Sequence, residues 1–185
     1  MRFGLALAGV ALIASPALAA PAWTVDKAAS KIGFVSSMNG EAFEGSFARY
    51  DAKINFDPKD LKSSKAVIAI DVTSAATSDQ TRDESLPTKD WFWADKFPRA
   101  TFISTGFSDL GGGRYQATGN LTLRDVSKPI VLPFTLAISG DTAKMTSAII
   151  VNRLVFGVGQ GQWKTEEAIP ARVTVRISLT AKKAH

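Results

Sequence analysis

Residues 172–180 alternate without exception between polar and apolar side chains. The apolar positions are Val173, Val175, Ile177 and Leu179. Because successive side chains of a β-strand point to opposite faces, this period of two predicts an extended strand with one dry face and one wet face. Weaker forms of the pattern recur along most of the chain, so the sequence predicts an all-β fold.

Turn signals separate the segments that carry this pattern. The predicted strands are 32–37, 43–56, 66–73, 100–107, 114–123, 130–139, 144–152 and 171–181. Asn39-Gly40 is a strong two-residue hairpin signal, and glycines at 111–113 and 140 mark later hairpins. Short strands joined by tight turns favour an antiparallel sandwich or barrel over a parallel sheet.

The first 19 residues have the pattern of a secretory signal peptide. Arg2 precedes an apolar run over 3–14, and residues 15–19 end in the small-x-small pattern that predicts cleavage after Ala19. No later segment has the roughly 18 to 20 apolar residues of a membrane span. We therefore expect a periplasmic protein with one domain over residues 20–185 and no integral membrane segment.

The residue types needed for common catalytic and metal sites are scarce. The chain has no cysteine and one histidine, the final His185. Ser-His-Asp and Cys-His sets cannot be assembled in their usual forms, and zinc, copper and haem lose their preferred ligands. We expect no catalytic residues, metal or cofactor. The net charge of +5 is dispersed without interleaved aromatics, so we also expect no nucleic-acid partner.

Scattered carboxylates leave an exported hydrolase as the last-ranked alternative. Asp79, Asp83 and Glu84 lie close together, and Glu166 and Glu167 are adjacent. Glycosidase chemistry needs two carboxyl groups that face each other across a cleft. Acidic residues near a helix start are explained more simply, because they favour the first helical turn.

Two segments interrupt the strand pattern, and the first is residues 74–99. Thr81-x-x-Glu84 resembles a capping box, which predicts a short helix before Pro87. The large aromatics that follow are Trp91, Phe92, Trp93 and Phe97. They could cover the open end of a core, as aromatic clusters often do, or form the mouth of a binding site.

The second interruption is the long loop over 153–170. Its glycines at 157, 159 and 161 have the wrong spacing for a phosphate motif. Arg153 stands between apolar runs and, if buried, must find a carboxylate or carbonyl groups. It either forms a structural ion pair that anchors the loop or recognises the head group of a ligand.

Short motifs recur in a fixed order along residues 23–181. They include Trp23-Thr24-Val25-Asp26, Glu44-Gly45-Ser46-Phe47, Asp83-Glu84-x-Leu86, Asp90-Trp91-Phe92, Phe97-Pro98-x-x-Thr101-Phe102, Gly119-Asn120-Leu121-Thr122-Leu123, Lys128-Pro129-Ile130 and Asn152-Arg153-x-x-Phe156-Gly157. The ordered set resembles the YceI-like, polyisoprenoid-binding family. The chain departs from the family pattern at Pro87-Thr88-Lys89 and where Trp91 and Trp93 flank Phe92.

The resemblance implies a lipocalin-like, antiparallel, eight-stranded barrel with a short helix and an aromatic lid segment. It also implies a bound lipid in the lumen, such as a polyisoprenoid, an isoprenoid quinone or a fatty-acyl lipid, without catalysis. An eight-stranded barrel can be filled by side chains or hold one small ligand. Small residues expected to leave space are Ala69, Ala117, Gly119, Ala137 and Ala148. The predicted ligand-binding residues are Phe34, Phe47, Phe102, Leu121, Phe134, Leu136, Val175, Ile177, Trp91 and Arg153.

Two further interpretations stay open at this stage. The barrel could be a scaffold whose loops at 74–99 and 153–170 bind an envelope protein in stress or redox physiology. An exposed stripe of Val and Ile side chains would also be a natural homodimer interface.

Overall fold

The computed structural model describes residues 19–184, mostly as antiparallel β-structure. In chain order the strands are β1 (Ala22–Val25), β2 (Lys31–Met38), β3 (Glu41–Phe47), β4 (Tyr50–Asn55), β5 (Lys65–Asp71), β6 (Ala75–Ala76), β7 (Arg99–Gly111), β8 (Arg114–Leu123), β9 (Val126–Ser139), β10 (Thr142–Asn152) and β11 (Arg172–Lys183). The helical elements are α1 (Gln80–Ser85) and the 3-10 helices Val72–Ser74, Arg153–Phe156 and Gly161–Lys164.

The strands close into a barrel, which confirms the predicted fold class. Around the barrel the order is β1–β4–β5–β7–β8–β9–β10–β11, and β11 pairs back with β1. Each of these neighbours is antiparallel. The closed ladder leaves no free edge along this circuit.

Two barrel positions are each occupied by a pair of short strands. β11 pairs with β1 through Ala181–Lys183 and with β2 through 174–178, so β1 and β2 lie in succession along it. β3 and β4 occupy the next position in the same way, because β3 pairs with β2 and β4 pairs with β1. The predicted strand 43–56 is therefore interrupted between Phe47 and Tyr50, and β1 was missed.

The two-residue turn between β2 and β3 has the predicted hairpin geometry. Asn39 has φ 51° and Gly40 has φ 85°. A type I′ turn requires positive φ at both central residues, which is why Asn-Gly is favoured there. The hairpin is also tied to the long loop, since the Asn39 N–H donates to the Ala168 carbonyl at 2.8 Å.

The predicted helix is present, but its N-cap differs from the prediction. α1 begins at Gln80, and the side chain of Asp79 accepts a hydrogen bond from the Arg82 N–H at 2.8 Å. Thr81 lies inside the helix, so the Thr81–Glu84 capping box is wrong. Asp79 is the stronger cap because its carboxylate reaches the third N–H of the first turn.

The barrel ends differ, and we name them by their connections. The lid end carries the lid segment, residues 77–98, and the Arg153 loop, residues 153–171. The base carries the β7–β8 and β9–β10 hairpins at 111–113 and 140–141.

Several large apolar side chains are exposed. The exposed large apolar residues of the described chain are Val67, Ile103, Leu110, Val131, Ile138, Ile150 and Val155. Nothing in this arrangement identifies a partner, and a homodimer stays a prediction.

Within residues 19–184, none of the helices is long and apolar enough to cross a membrane. The predicted signal peptide lies outside the described residues except for Ala19, and His185 also lies outside them.

Candidate functional site

A cavity of about 500 Å³ occupies the barrel interior. Its wall includes the four apolar residues of the alternating segment 172–180, which are Val173, Val175, Ile177 and Leu179, and also Ala181 of the same strand. The dry face of this strand therefore looks into the lumen. The neighbouring strand β10 contributes the corresponding alternate positions Met145, Ile149 and Val151.

All ten residues predicted to bind a ligand lie on the wall of this one cavity. They are Phe34, Phe47, Trp91, Phe102, Leu121, Phe134, Leu136, Arg153, Val175 and Ile177. The period-two pattern brings the strand residues together because it selects one face of each strand. Their contact with a ligand stays a prediction.

Of the five small residues expected to leave space, Ala117 is on the cavity wall. Ala69, Ala137 and Ala148 alternate with lining residues on their strands and so lie on the outer face. At Gly119 a Cβ would lie 2.6 Å from the Phe102 ring, so this glycine makes room for Phe102 instead. The small residues that do line the cavity are Ala52, Ala66, Ala100, Ala117, Ala143 and Ala181.

Aromatic side chains carried by strands and their ends pack across the base. The Phe56 ring lies 5.3 Å from Phe107, 5.5 Å from Tyr115 and 6.1 Å from Phe134, measured between ring centroids. The Trp23 indole N–H donates to the Phe56 carbonyl at 2.9 Å. These edge-to-face contacts are favoured by the ring quadrupoles and close the lumen at this end.

The aromatic lid segment divides between the cavity and the outer surface. Trp91 and Phe92 are buried and line the cavity, and Phe92 packs 6.0 Å from Phe47. Trp93 and Phe97 pack against each other at 5.5 Å, away from the lining. Two rings of the cluster therefore cover the lumen and two do not, and the mouth of a binding site stays a prediction.

Arg153 is buried and anchors the Arg153 loop through carbonyl groups. Its side chain is 4% exposed, and its five N–H donors meet five backbone carbonyls. The acceptors, with distances of 2.7 to 3.4 Å, are Val158, Trp163, Thr165, Ile169 and Pro170. Burial lowers the pKa of Arg153, and Glu166 acts in the opposite direction.

These contacts correct the expected ion pair, because carbonyls and not a carboxylate hold the guanidinium. Recognition of a ligand head group by Arg153 stays a prediction, and it would require one of these bonds to be exchanged. At Gly159 a Cβ would collide with the guanidinium. This glycine, with φ 87°, therefore lets the loop wrap around Arg153.

A second arginine, Arg124, was missed by sequence reasoning. Its Nη1 donates to the Trp91 carbonyl at 2.9 Å and to the Gly157 carbonyl, so it joins the lid segment to the Arg153 loop. Burial lowers its pKa, and Asp90 opposes that shift. The Asp90 carbonyl also accepts from the N–H groups of Gly159 and Gln160, at 2.8 and 2.7 Å. An exposed-looking arginine in a turn gives no sequence signal for this role.

Structural partners hold three of the five carboxylates considered for hydrolysis, namely Asp79, Asp83 and Glu166. Asp79 caps α1, and Asp83 accepts from the Thr77 N–H at 2.7 Å and from its hydroxyl at 2.6 Å. Glu166 accepts from the Ala171 N–H at 3.0 Å. These bonds account for the positions of these three carboxylates without a reaction.

Comparison with known proteins gives a family match over nearly all of the described chain. Residues 23–181 match the family model described as the YceI-like domain. A UPF0312 protein of Vibrio parahaemolyticus is 36% identical over 104 residues, which are 56% of this chain and 55% of that protein. The aligned region thus spans about half the length of that relative.

Solved structures show the same architecture. Burkholderia cenocepacia BcnA aligns with a TM-score of 0.82 and 33% identity, covering 86% of this chain and all of that one. A polyisoprenoid binding domain from Saccharophagus degradans aligns with a TM-score of 0.70 and 17% identity, covering 89% of this chain and 99% of that one. The second likeness is one of fold.

Proposed function

The chain belongs to the YceI-like domain family, and from that premise we propose that it binds one amphiphilic lipid in its barrel. The observation that carries the proposal is the apolar cavity of about 500 Å³. That volume lies within the range of roughly 300 to 1,000 Å³ that is usual for ligand sites. The name of the Saccharophagus degradans neighbour supports a polyisoprenoid as the ligand class.

The tail of the lipid supplies the binding energy in this proposal. Burial of a methylene group contributes about 0.8 kcal/mol, so a chain of about 15 carbons gains about 12 kcal/mol before the cost of association. Because the wall offers few polar groups, burial of the tail contributes most of the affinity and the head group contributes less. A polyisoprenoid, an isoprenoid quinone or a fatty-acyl lipid meets this requirement.

We further propose that the protein acts in the periplasm as a carrier or sequestering protein, without catalysis. The signal-peptide pattern over residues 1–19 supports the location. Cell fractionation and sequencing of the mature N-terminus test it. We expect a periplasmic protein that begins at Ala20, and a cytoplasmic protein that retains residues 1–19 would contradict the location.

The binding proposal is tested with the purified protein and its lipid extract. We expect mass spectrometry of the extract to show an apolar lipid, and the delipidated protein to take up a polyprenol, a quinone or a fatty-acyl probe. Failure of the delipidated, folded protein to bind any of the three would overturn the proposal.

A pair of alanine substitutions localises the binding. Ala117 is 2% exposed and lines the cavity, so Ala117→Trp should fill the lumen and weaken probe uptake. Ala137→Trp is the matched control, because Ala137 is exposed on the neighbouring strand. Overpacking costs about 1 to 3 kcal/mol, so circular dichroism must show that the variant is folded. Val175→Trp, on another part of the wall, serves if Ala117→Trp does not fold.

A further inference from the structure

Several polar residues of the cavity wall are gathered in one corner. Asp79, Arg82 and Ser85 all line the cavity and are spaced three residues apart, so they share one face of α1 and its cap. Ser36 of β2 lines the same cavity and is the cross-strand partner of Phe43, whose ring Arg82 covers, so Ser36 lies on the same side of the cavity. We call Ser36, Asp79, Arg82 and Ser85 the polar corner.

Two groups of the polar corner have hydrogen-bonding capacity that the described residues do not use. The Ser36 Oγ and the Arg82 Nε are shielded from solvent and have no partner among residues 19–184. Buried polar groups are nearly always paired, and an unpaired one on a cavity wall points to a bound group that completes it. Arg153 provides the contrast, because all five of its donors are already paired with carbonyls.

Arg82 lies at the boundary between the cavity and the outside. Its side chain is 22% exposed, and its guanidinium carbon lies 4.0 Å from the centre of the Phe43 ring. Arg82 and Phe43 also line a second, shallower recess beside the β2–β3 hairpin. A lipid with its tail in the lumen would therefore have its head group beside Arg82.

The charges around Arg82 limit which head group fits. An Nη2 of Arg82 lies 3.6 Å from the Asp79 carboxylate, and Glu41 lines the outer recess together with Arg82. The charge of Arg82 is thus balanced in part by Asp79, and Glu41 adds negative charge to the recess. A phosphorylated head would place further negative charge beside the Asp79 carboxylate, whereas an uncharged carbonyl oxygen can accept from Nε–H and from the serine hydroxyl without that repulsion.

We infer that Ser36 and Arg82 hold the head group of the bound lipid and that the polar corner selects an uncharged carbonyl head over a phosphorylated one. The inference rests on the proposed function and adds its head-group specificity. Amides, esters, ketones and quinones belong to the selected class.

The test uses single-chain probes that share one tail. Dodecanamide, dodecyl phosphate and dodecane are titrated into the delipidated full-length mature protein, with displacement of a fluorescent apolar probe as the readout. We expect the amide to bind about tenfold more tightly than dodecane, with the phosphate weaker than the amide. Equal affinity for the amide and dodecane, or a preference for the phosphate, would overturn the inference.

Three substitutions separate the roles in the polar corner. Arg82→Met should reduce amide affinity to near that of dodecane and leave dodecane unchanged, and Ser36→Ala should act in the same direction if Arg82→Met does not fold. Asp79→Asn keeps an N-cap but removes a charge, so it should raise affinity for the phosphate several-fold. Arg176→Met is the matched control, because Arg176 is exposed and paired with Glu44 on the outer surface.

The outcomes distinguish this inference from the proposed function. If no probe binds, dodecane included, the proposed lipid-binding function fails. If dodecane binds and Arg82→Met weakens all three probes equally, the head-group inference fails while the binding function stands.

Discussion

The base and the lid end of the barrel close the same cavity by different means. At the base, Phe56, Phe107 and Phe134 project from strands or their ends, where the hydrogen-bonded ladder fixes their positions. At the lid end, Trp91 and Phe92 belong to a segment outside the ladder, and two arginines hold the surrounding loops by their carbonyls. Opening the base requires strands to separate, whereas opening the lid end requires only contacts among loops to break, namely the arginine bonds, a few backbone bonds and the packing of the two buried rings. We therefore expect ligand exchange at the lid end.

The largest expected effect is a loss of global stability at the base. Phe56→Ala removes a ring that is 5% exposed and contacts three other rings, which should lower the free energy of unfolding by about 3 to 5 kcal/mol. Urea unfolding measures it. Val131→Ala, at an exposed position, should change stability by no more than about 0.5 kcal/mol. A loss of less than about 1 kcal/mol in Phe56→Ala would contradict the view that the base is the more rigid end.

The next effect is expected at the lid end and should be local. Arg153→Met leaves five carbonyls without their charged donor, and bonds to charged groups contribute about 1.5 to 3 kcal/mol each. Because the freed loop can turn its carbonyls toward water, we expect the free energy of opening the Arg153 loop to fall by about 2 to 4 kcal/mol.

Hydrogen exchange locates this loss. Amides of the Arg153 loop should exchange faster in Arg153→Met, while those of the β8–β9 ladder keep their protection. Arg153→Lys should behave like Arg153→Met, because one ammonium group cannot replace the planar guanidinium at five acceptors. Uniform loss of protection over the whole barrel would contradict a separable lid end.

The different closures also explain which features the sequence could predict. The period of two along β11 identifies one buried face locally, and the closed ladder turns that face toward the lumen, so the barrel and the wall positions followed from residue order. β1 was missed because four residues carry too little pattern. The break between Phe47 and Tyr50 was missed although the alternation changes phase there, from odd positions up to Phe47 to even positions from Tyr50.

The lid end was harder to predict because its contacts involve the backbone. Arg153 signalled that a buried cation needs partners, yet every residue has a carbonyl, so the sequence does not indicate which five accept. Arg124 and Arg82 carry no signal that separates them from exposed arginines. Only the tertiary placement of the turn and of α1 gives them their positions.

A smaller effect is expected when the bridge between the two lid elements is removed. Arg124→Met loses the bonds to the Trp91 and Gly157 carbonyls. The free energy of opening the lid end should fall by about 1 to 2 kcal/mol, and ligand release should become several-fold faster. Stopped-flow displacement of a bound apolar probe measures the release rate. The matched control is Arg114→Met at the base, where an exposed arginine bonds the Gly111 carbonyl of the hairpin. Faster release in the base variant than in the lid variant would place the exit at the base.

The smallest expected effect is a pH dependence at the rim of the lid end. Hydrogen bonds from Thr73, and then from Arg49, lower the pKa of Asp71 below its ordinary value of 3.8. Since the folded pKa is below the unfolded one, the contribution to stability is complete above about pH 4 to 5 and is lost as the pH falls through the folded pKa. The group is partly exposed, so solvent screening keeps the contribution under about 1 kcal/mol.

Two rim variants decide which bond is responsible for that pH dependence. Thr73 donates to Asp71 through its N–H at 2.9 Å and its hydroxyl at 2.6 Å, and the Arg49 Nε donates at 2.8 Å. Thr73→Val removes the hydroxyl bond, so its stability deficit in urea relative to the wild type should be present at pH 7 and shrink by pH 3. Arg49→Met should show a smaller deficit with the same pH trend, because the Thr73 bond is the larger cause. A deficit that is equal at both pH values would mean that these side chains stabilise the rim by packing and not by holding the Asp71 carboxylate charged.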